Sequence, residues 1–182
     1  MQNLNKLLHR AAPLAFVLAA SVVGCSGTAT LESSKDASEA NPLDDNEKAL
    51  LAAIVAYRGQ HGAGPLTDCA TLNVASSLHA DDMRDHGYLS DIGKLDNSSV
   101  NSRACSAGYQ AGCTTMYAMG ELVSSGISDP DALIVQWSTD PKTLAILVDP
   151  HLLVIGVGQS FGAAPPVWSV DLGGAMESSC NN

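Results

Sequence analysis

Between residues 44 and 60, apolar side chains recur at near-helical spacing, and an acidic run precedes them at 44–47. Acidic residues favour the positive end of a helix dipole, so this segment is predicted to be a helix that ends at the glycines of 59–64. A second helix is expected to be capped by Thr67 or Asp68 and to end at Gly87. Its predicted apolar face carries Leu72, Ala75, His79 and Met83.

Strand-like segments come late in the chain. A short third helix is expected near 98–107, and residues 116–123 have the pattern of a strand that leads into Ser-Ser-Gly. Pro130 favours a helix start, because proline suits the first helical turn. Residues 152–158 and 167–172 are β-rich and are separated by a Gly/Pro loop. This order predicts an α+β fold in which helices pack around a small, largely antiparallel sheet.

The N-terminus has the pattern of an export signal. Residues 1–24 contain Lys6 and Arg10, no acid, and an apolar run too short to span a bilayer. Val-Val-Gly-Cys at 22–25 resembles the bacterial lipobox, which implies that Cys25 becomes a lipidated first residue and anchors the chain to a membrane. Residues 25–43 are then expected to form a flexible tether. Ordinary cleavage that leaves Cys25 as a spare thiol, and a buried N-terminal helix, are the alternatives.

Composition narrows the function classes. The chain has 182 residues, with 9 Lys+Arg against 19 Asp+Glu and a net charge of −10. This acidic balance argues against a nucleic-acid partner and against electrostatic docking on an anionic membrane. The length favours one folded domain over 44–182, which we expect to be a monomer. Ser26 directly follows the lipobox-like Cys25, and a residue other than Asp at that position is typical of Gram-negative lipoproteins that are sorted to the outer membrane.

Four cysteines remain after Cys25, namely Cys69, Cys105, Cys113 and Cys180. An even number in an exported chain indicates disulfides, and three pairings are open. We favour Cys105–Cys113 as a local loop, with Cys69–Cys180 tying down the C-terminal tail. A zinc site is disfavoured, since the chain has no Cys-x-x-Cys pair and no His at ligand spacing from a Cys.

Several short motifs occur in order along the chain: Tyr57-Arg58, His61-Gly62, Pro65-Leu66, His79-Ala80-Asp81-Asp82-Met83, Gly120-Glu121, Trp137 and Ile155-Gly156-Val157-Gly158. Together they resemble the CAP superfamily, or SCP-like extracellular domain, in its bacterial lipoprotein branch. The similarity runs from about residue 49 to 172, and the stretch 137–158 keeps the family spacing without a gap. The superfamily includes cysteine-rich secretory proteins, venom antigens and pathogenesis-related plant proteins.

The resemblance implies a three-layer α-β-α sandwich with a small, mostly antiparallel central sheet. It also implies a cleft with two histidines and two acids that often holds a divalent metal. In this chain Asp91 and Thr143 stand at the histidine positions, Glu121 keeps one acid and Asp131 is placed as the other. If these oxygen ligands converge, they could hold calcium or magnesium weakly. We expect instead a degenerate cleft without metal or other cofactor.

Two functions follow as hypotheses. The first is a non-enzymatic binding module for a small apolar ligand, an envelope component or a protein partner, with His79 and the four cleft residues in its binding cleft. The second is a protease-like hydrolase in which Glu121 acts as general base, helped by His79. The structural alternatives are a satisfied core histidine at His79 and a hydrogen-bonded structural acid at Glu121. Trp137 and Trp168 are expected in the core.

Overall fold

A computed structural model describes residues 42–160, 162 and 165–180. The predicted signal peptide, Cys25 and nearly all of the predicted tether lie outside the described residues. The α-helices are α1 Asp45–Gln60, α2 Ala70–His86, α3 Val100–Ser106, α4 Pro130–Thr139 and α5 Pro141–Leu147. The strands are β1 Thr67–Asp68, β2 Met119–Ser125, β3 Val154–Gln159 and β4 Val167–Gly173.

Helix α1 begins with a capping box, as its acidic start predicts. Asp44 Oδ1 accepts from the Glu47 amide, and Glu47 Oε2 accepts from the Asp44 amide, each at 2.8 Å. The second oxygen of Glu47 accepts from the Gln159 amide at 2.9 Å. This buried carboxylate therefore caps α1 and also ties the helix to the end of β3.

Helix α2 begins later than predicted. Thr67 and Asp68 do not cap it; they form β1, which pairs in parallel with β3 at Val154 and Ile155. Cys69 occupies the N-cap position and makes no side-chain capping bond. The predicted end at Gly87 is confirmed, because this residue closes the helix in the left-handed conformation with φ of 61°.

The sheet has the strand order β1-β3-β4-β2. Strand β4 is antiparallel to both β3 and β2, and only the two-residue β1 is parallel, so the largely antiparallel sheet is confirmed. Strand β2 starts at Met119, three residues after the predicted start. Helix α5 was not predicted; Asp140 caps it by accepting from the Lys142 amide, and Pro141 occupies its first turn.

Helices cover both faces of the sheet. On one face, α2 lies so close that a methyl group at Gly156 or Gly158 would overlap its backbone. The opposite face packs against α1, α4 and α5 in an apolar core that includes both tryptophans, as predicted. A Cβ at Gly120 would lie 2.6 Å from Ile146 Cγ2 of α5. The three-layer α-β-α sandwich is thereby confirmed.

Both favoured disulfides are present. Cys105 and Cys113 close a local loop, and Cys69 is bonded to Cys180 across 111 residues of sequence. The second bond joins the start of α2 to the C-terminal 3₁₀ turn, Ser178–Cys180.

Candidate functional site

A buried polar cluster lies on the α2 face of the sheet. Glu121 of β2 stands directly opposite Asp171 of β4 in the antiparallel register. Side chains alternate between faces along a strand, so Ser169, two residues before Asp171, lies on the same face. His79 of α2 and Arg103 of α3 reach the cluster from above the sheet.

Both oxygens of Glu121 are engaged. Arg103 Nη2 lies 2.5 Å from Oε2, and the Ser169 hydroxyl donates to Oε1 at 2.8 Å. The side chain is 1% exposed. Burial raises the pKa of Glu121 to about 7, against the opposing effects of the Arg103 charge and the Ser169 hydrogen bond. Glu121 is thus a charge partner of Arg103, held in place by a strand neighbour.

His79 is buried and hydrogen-bonded, in line with its structural reading. Its Nε2 lies 2.9 Å from the Ser90 carbonyl oxygen and 3.5 Å from Glu121 Oε1. Because a carbonyl can only accept, we assign the proton to Nε2. Burial lowers the pKa of His79, and the Arg103 charge lowers it further. The imidazole is therefore neutral at neutral pH and has no lone pair at Nε2 for accepting a proton.

Asp171 is a member of the cluster that sequence reasoning missed. It is fully buried, and neither carboxyl oxygen has a hydrogen-bond partner in the described part of the chain. Burial raises its pKa well above the usual range, and the Glu121 charge raises it further. The Ser169–Asp171 alternation within a valine-rich run was the available signal, since it indicates a polar stripe on one strand face.

A cavity of about 940 Å³ opens between α2, α3 and the loop 95–98. His79 and Arg103 belong both to the buried cluster and to this cavity. The remaining polar lining residues are Asp82, Asp96, Asn97, Ser98, Ser102 and Ser106. The apolar lining residues are Val74, Ala75, Leu78, Leu95 and Ala107. Arg103 was also missed by sequence reasoning, because nothing local distinguishes it from a surface arginine.

The other predicted cleft residues do not join Glu121. Asp91 is exposed; its carbonyl accepts from Arg103 Nη2 at 3.1 Å. Asp131 is exposed on α4, and its amide donates to Asp129 Oδ1. Thr143 lies on α5, which packs on the sheet face opposite to Glu121, and its hydroxyl donates to the Trp137 carbonyl at 2.6 Å. Of the predicted set, only His79 and Glu121 meet side chain to side chain.

The sequence profile described as "CAP: Cysteine-rich secretory protein family" matches residues 51–172, which is more than half of the chain. The chain belongs to this family. A search of curated proteins gives no significant match to this CAP protein.

Solved structures resemble this CAP protein in fold. An outer surface protein of Borrelia burgdorferi superposes with a TM-score of 0.64 at 16% identity, over 74% of this chain and 97% of that one. An extracellular SCP-domain protein of Bacillus anthracis has a TM-score of 0.56 at 17% identity, over 72% of this chain and 44% of that chain. A cysteine-rich secretory protein of Staphylococcus aureus has a TM-score of 0.51 at 13% identity, over 74% and 41%. This chain spans less than half the length of the latter two proteins.

The residues of this CAP protein do not fit the divalent-metal cleft that the resemblance implies. No group of three His, Cys, Asp or Glu side chains within the described ranges is placed to hold a metal. The Arg103 guanidinium sits against Glu121 instead, where its charge would repel a cation. Among the described helices, none combines the length and apolar character needed to cross a lipid bilayer.

The other histidines of the described ranges have local roles. His61 is an exposed C-cap of α1 that stacks on Tyr57, with ring centroids 4.2 Å apart. His86 lies in the last turn of α2 and pairs with Asp82 Oδ1 at 2.8 Å. His151 is exposed and hydrogen-bonds Asp149 Oδ1 at 2.9 Å.

Proposed function

We propose that this CAP protein is a non-enzymatic, extracytoplasmic lipoprotein that binds a small apolar ligand in the cavity between α2 and α3. One observation carries the proposal. The cavity has an apolar wall, and Glu121, the acid retained from the family motif, already has both oxygens hydrogen-bonded. Ligand pockets are mostly apolar with a few convergent polar groups, and the cavity has that character.

The state of Glu121 supports binding over catalysis. A general base must lie within hydrogen-bond reach of the proton that it removes, directly or through one water. Glu121 is 1% exposed at its side chain, and it is held by Arg103 and Ser169. His79 donates its Nε2 proton to the Ser90 carbonyl, so the imidazole nitrogen nearest Glu121 offers no free basic atom to a substrate.

Export and anchoring rest on the sequence and on the named relatives. The lipobox-like sequence at Cys25 follows a charged, then apolar, N-terminal segment. One similar structure is named an outer surface protein and another an extracellular protein. A lipoprotein that carries a folded domain on a tether at the envelope surface is consistent with the lipobox-like N-terminus and with the names of these similar structures. The cavity would then face the space in which envelope ligands are found.

Two residues of matched exposure test the cavity. Leu78 lines it and Val135 lies on α4, on the other sheet face; both are 64% exposed. The full chain carrying Cys25→Ser, which keeps lipid and detergent out of the assay, should bind 1-decanol in calorimetry. Leu78→Asn should weaken binding by about tenfold, because part of a leucine contact worth roughly 1.5–3 kcal/mol is lost. Val135→Asn should leave it unchanged; equal effects of the two variants would overturn the assignment.

Hydrolysis is the second candidate, and one observation favours it. Burial raises the pKa of Glu121 to about 7, in the range that suits a general base at neutral pH. If Glu121 is catalytic, peptidase or esterase activity must be measurable and must vanish in Glu121→Gln while decanol binding persists. We expect no activity above that of the variant.

A further inference from the structure

The polar groups of the cavity between α2 and α3 are not balanced in charge. Its lining contains two carboxylates, Asp82 and Asp96, and one guanidinium, Arg103. The guanidinium is already neutralised from behind by Glu121, at 2.5 Å. His79, the remaining titratable lining residue, is a neutral imidazole that donates to a carbonyl. The cavity therefore presents two carboxylates beside its apolar wall, against one guanidinium that already has a carboxylate partner.

Within the described residues, neither carboxylate forms a salt bridge with a lysine or an arginine. Asp82 accepts from the Tyr88 hydroxyl and pairs with His86 at 2.8 Å. Asp96 Oδ1 accepts from the Ser98 amide at 2.9 Å. Lys94, which is outside the lining, donates to the His86 carbonyl and lies 5.9 Å from the centre of the Tyr88 ring. Both carboxylates also act on the His79 imidazole, which places their negative charge at the same part of the cavity.

The apolar residues of the lining lie at one end of the α2 stripe and the carboxylate at the other. On α2 the lining residues run from Val74 through Leu78 to Asp82, as a single helical stripe. Eight residues of helix rise about 12 Å, so the apolar segment begins about one ligand length from the carboxylate. Leu95 and Ala107 complete the apolar lining from the loop and from α3.

Resting on the proposed function, we infer that the ligand is a small cationic amphiphile: an aliphatic body along Val74 and Leu78, with an amine or quaternary ammonium group at Asp82 and Asp96. Charge complementarity selects this class. An anionic head group would be repelled by two carboxylates, and the only guanidinium in the lining already has a carboxylate partner. A neutral head group would bring no positive charge to pair with the carboxylates. The net charge of −10 adds a long-range attraction for cations.

A head-group series at constant chain length tests the inference. Decylamine, 1-decanol and decanoate are titrated below their micelle concentrations into the full chain carrying Cys25→Ser, at pH 8 and low salt. Decylamine should bind at least about tenfold more tightly than decanol, and decanoate more weakly than either, in line with two ion pairs of up to roughly fivefold each. Raising the salt concentration should weaken the amine alone.

Single substitutions test whether Asp82 and Asp96 cause the preference for the amine. Asp82→Asn and Asp96→Asn should each weaken decylamine binding about threefold to fivefold and weaken decanol binding by less, because only the amine loses an ion pair. Asn at position 96 keeps an oxygen that can accept from the Ser98 amide, so we expect this turn to persist in the variant. Asp45→Asn, an exposed acid on α1, is the matched control and should not affect either ligand.

The possible outcomes distinguish failure of the binding function from failure of the cationic ligand class. If decanol binds through Leu78 but decylamine binds no more tightly, the cationic class is wrong and the binding function stands. Tighter binding of decanoate would overturn the inference in favour of an anionic amphiphile. If no member of the series binds, the proposed function itself fails. A reduced preference for the amine in each cavity variant, but not in Asp45→Asn, is the result that supports the cationic class.

Discussion

Glu121 and Asp171 face each other across adjacent antiparallel strands, and both residues are buried. Arg103 bonds Glu121 directly, whereas neither Asp171 oxygen has a partner in the described residues. Two buried like charges cannot both be ionised cheaply, so the pair retains one proton. Arg103 and the Ser169 hydroxyl stabilise the ionised form of Glu121, whereas neither Asp171 oxygen has such a donor in the described residues, so we assign the proton to Asp171.

The retained proton makes stability depend on pH. A carboxyl group whose folded-state pKa is raised binds more protons folded than unfolded, so stability falls as pH rises from its ordinary pKa of about 4 towards the folded value. Each such group contributes a slope of up to about 1.4 kcal/mol per pH unit. We expect the free energy of unfolding to fall between pH 5 and 8, and Asp171→Asn to reduce that fall. Urea unfolding at several pH values measures it; identical slopes would contradict a shared proton.

Removing the guanidinium should be costly. Arg103→Met leaves Glu121 without its counter-charge beside Asp171, and breaking a buried pair from one side typically costs about 3–5 kcal/mol. The control is Arg84→Met, because Arg84 is more exposed and pairs with carboxylates on its own helix, where solvent screens the ion pair.

Urea unfolding at pH 7 compares the two arginine variants. Adding Glu121→Gln to Arg103→Met should restore part of the lost stability, because no buried glutamate charge remains there. Equal losses for the two single variants would show that the Arg103–Glu121 contact is not a buried ion pair.

Local signals explain which parts of the fold were predictable. The Asp44 and Glu47 capping box and the left-handed Gly87 depend on neighbours in sequence, and both ends were predicted. Thr67 and Asp68 have good capping chemistry, but pairing with Val154 and Ile155 in β3 determines their conformation. That pairing involves a distant part of the chain, so no local pattern reveals it.

The site was less predictable than the fold for a related reason. Alignment with the family motifs identifies positions along the chain, but it does not say which sheet face each side chain occupies. Gly120 faces α5 and Glu121 faces α2, so Thr143 on α5 lies across the sheet from the acid. Asp171 meets Glu121 through the pairing of β4 with β2, and Arg103 reaches Glu121 through the packing of α3 over the sheet; both contacts join distant parts of the chain.

The two disulfides should differ in their contribution to stability. In the chain-entropy model, a bond closing 111 residues contributes about 4.8 kcal/mol and one closing 8 residues about 2.5 kcal/mol. The double variant Cys69→Ser/Cys180→Ser should therefore lose more stability than Cys105→Ser/Cys113→Ser. Thermal unfolding of both variants checks the order. The reverse order would mean that strain or residual unfolded structure outweighs loop length.

Lipid anchoring at Cys25, which lies outside the described residues, can be tested by labelling and phase partition. Lipidation at Cys25 would add several acyl chains, and more than one chain is needed for stable membrane attachment. The native chain expressed in a bacterium with lipoprotein processing should partition into the detergent phase and label with a radioactive fatty acid. Cys25→Ser should abolish the label and shift the protein to the aqueous phase, because the remaining four cysteines are all paired in disulfides. Cys105→Ser/Cys113→Ser is the matched control and should keep both label and partition. Retention of the fatty-acid label in Cys25→Ser would rule out Cys25 as the lipidated residue, whereas a variant that loses the label but stays in the detergent phase would be held there by an uncleaved apolar segment at 11–20.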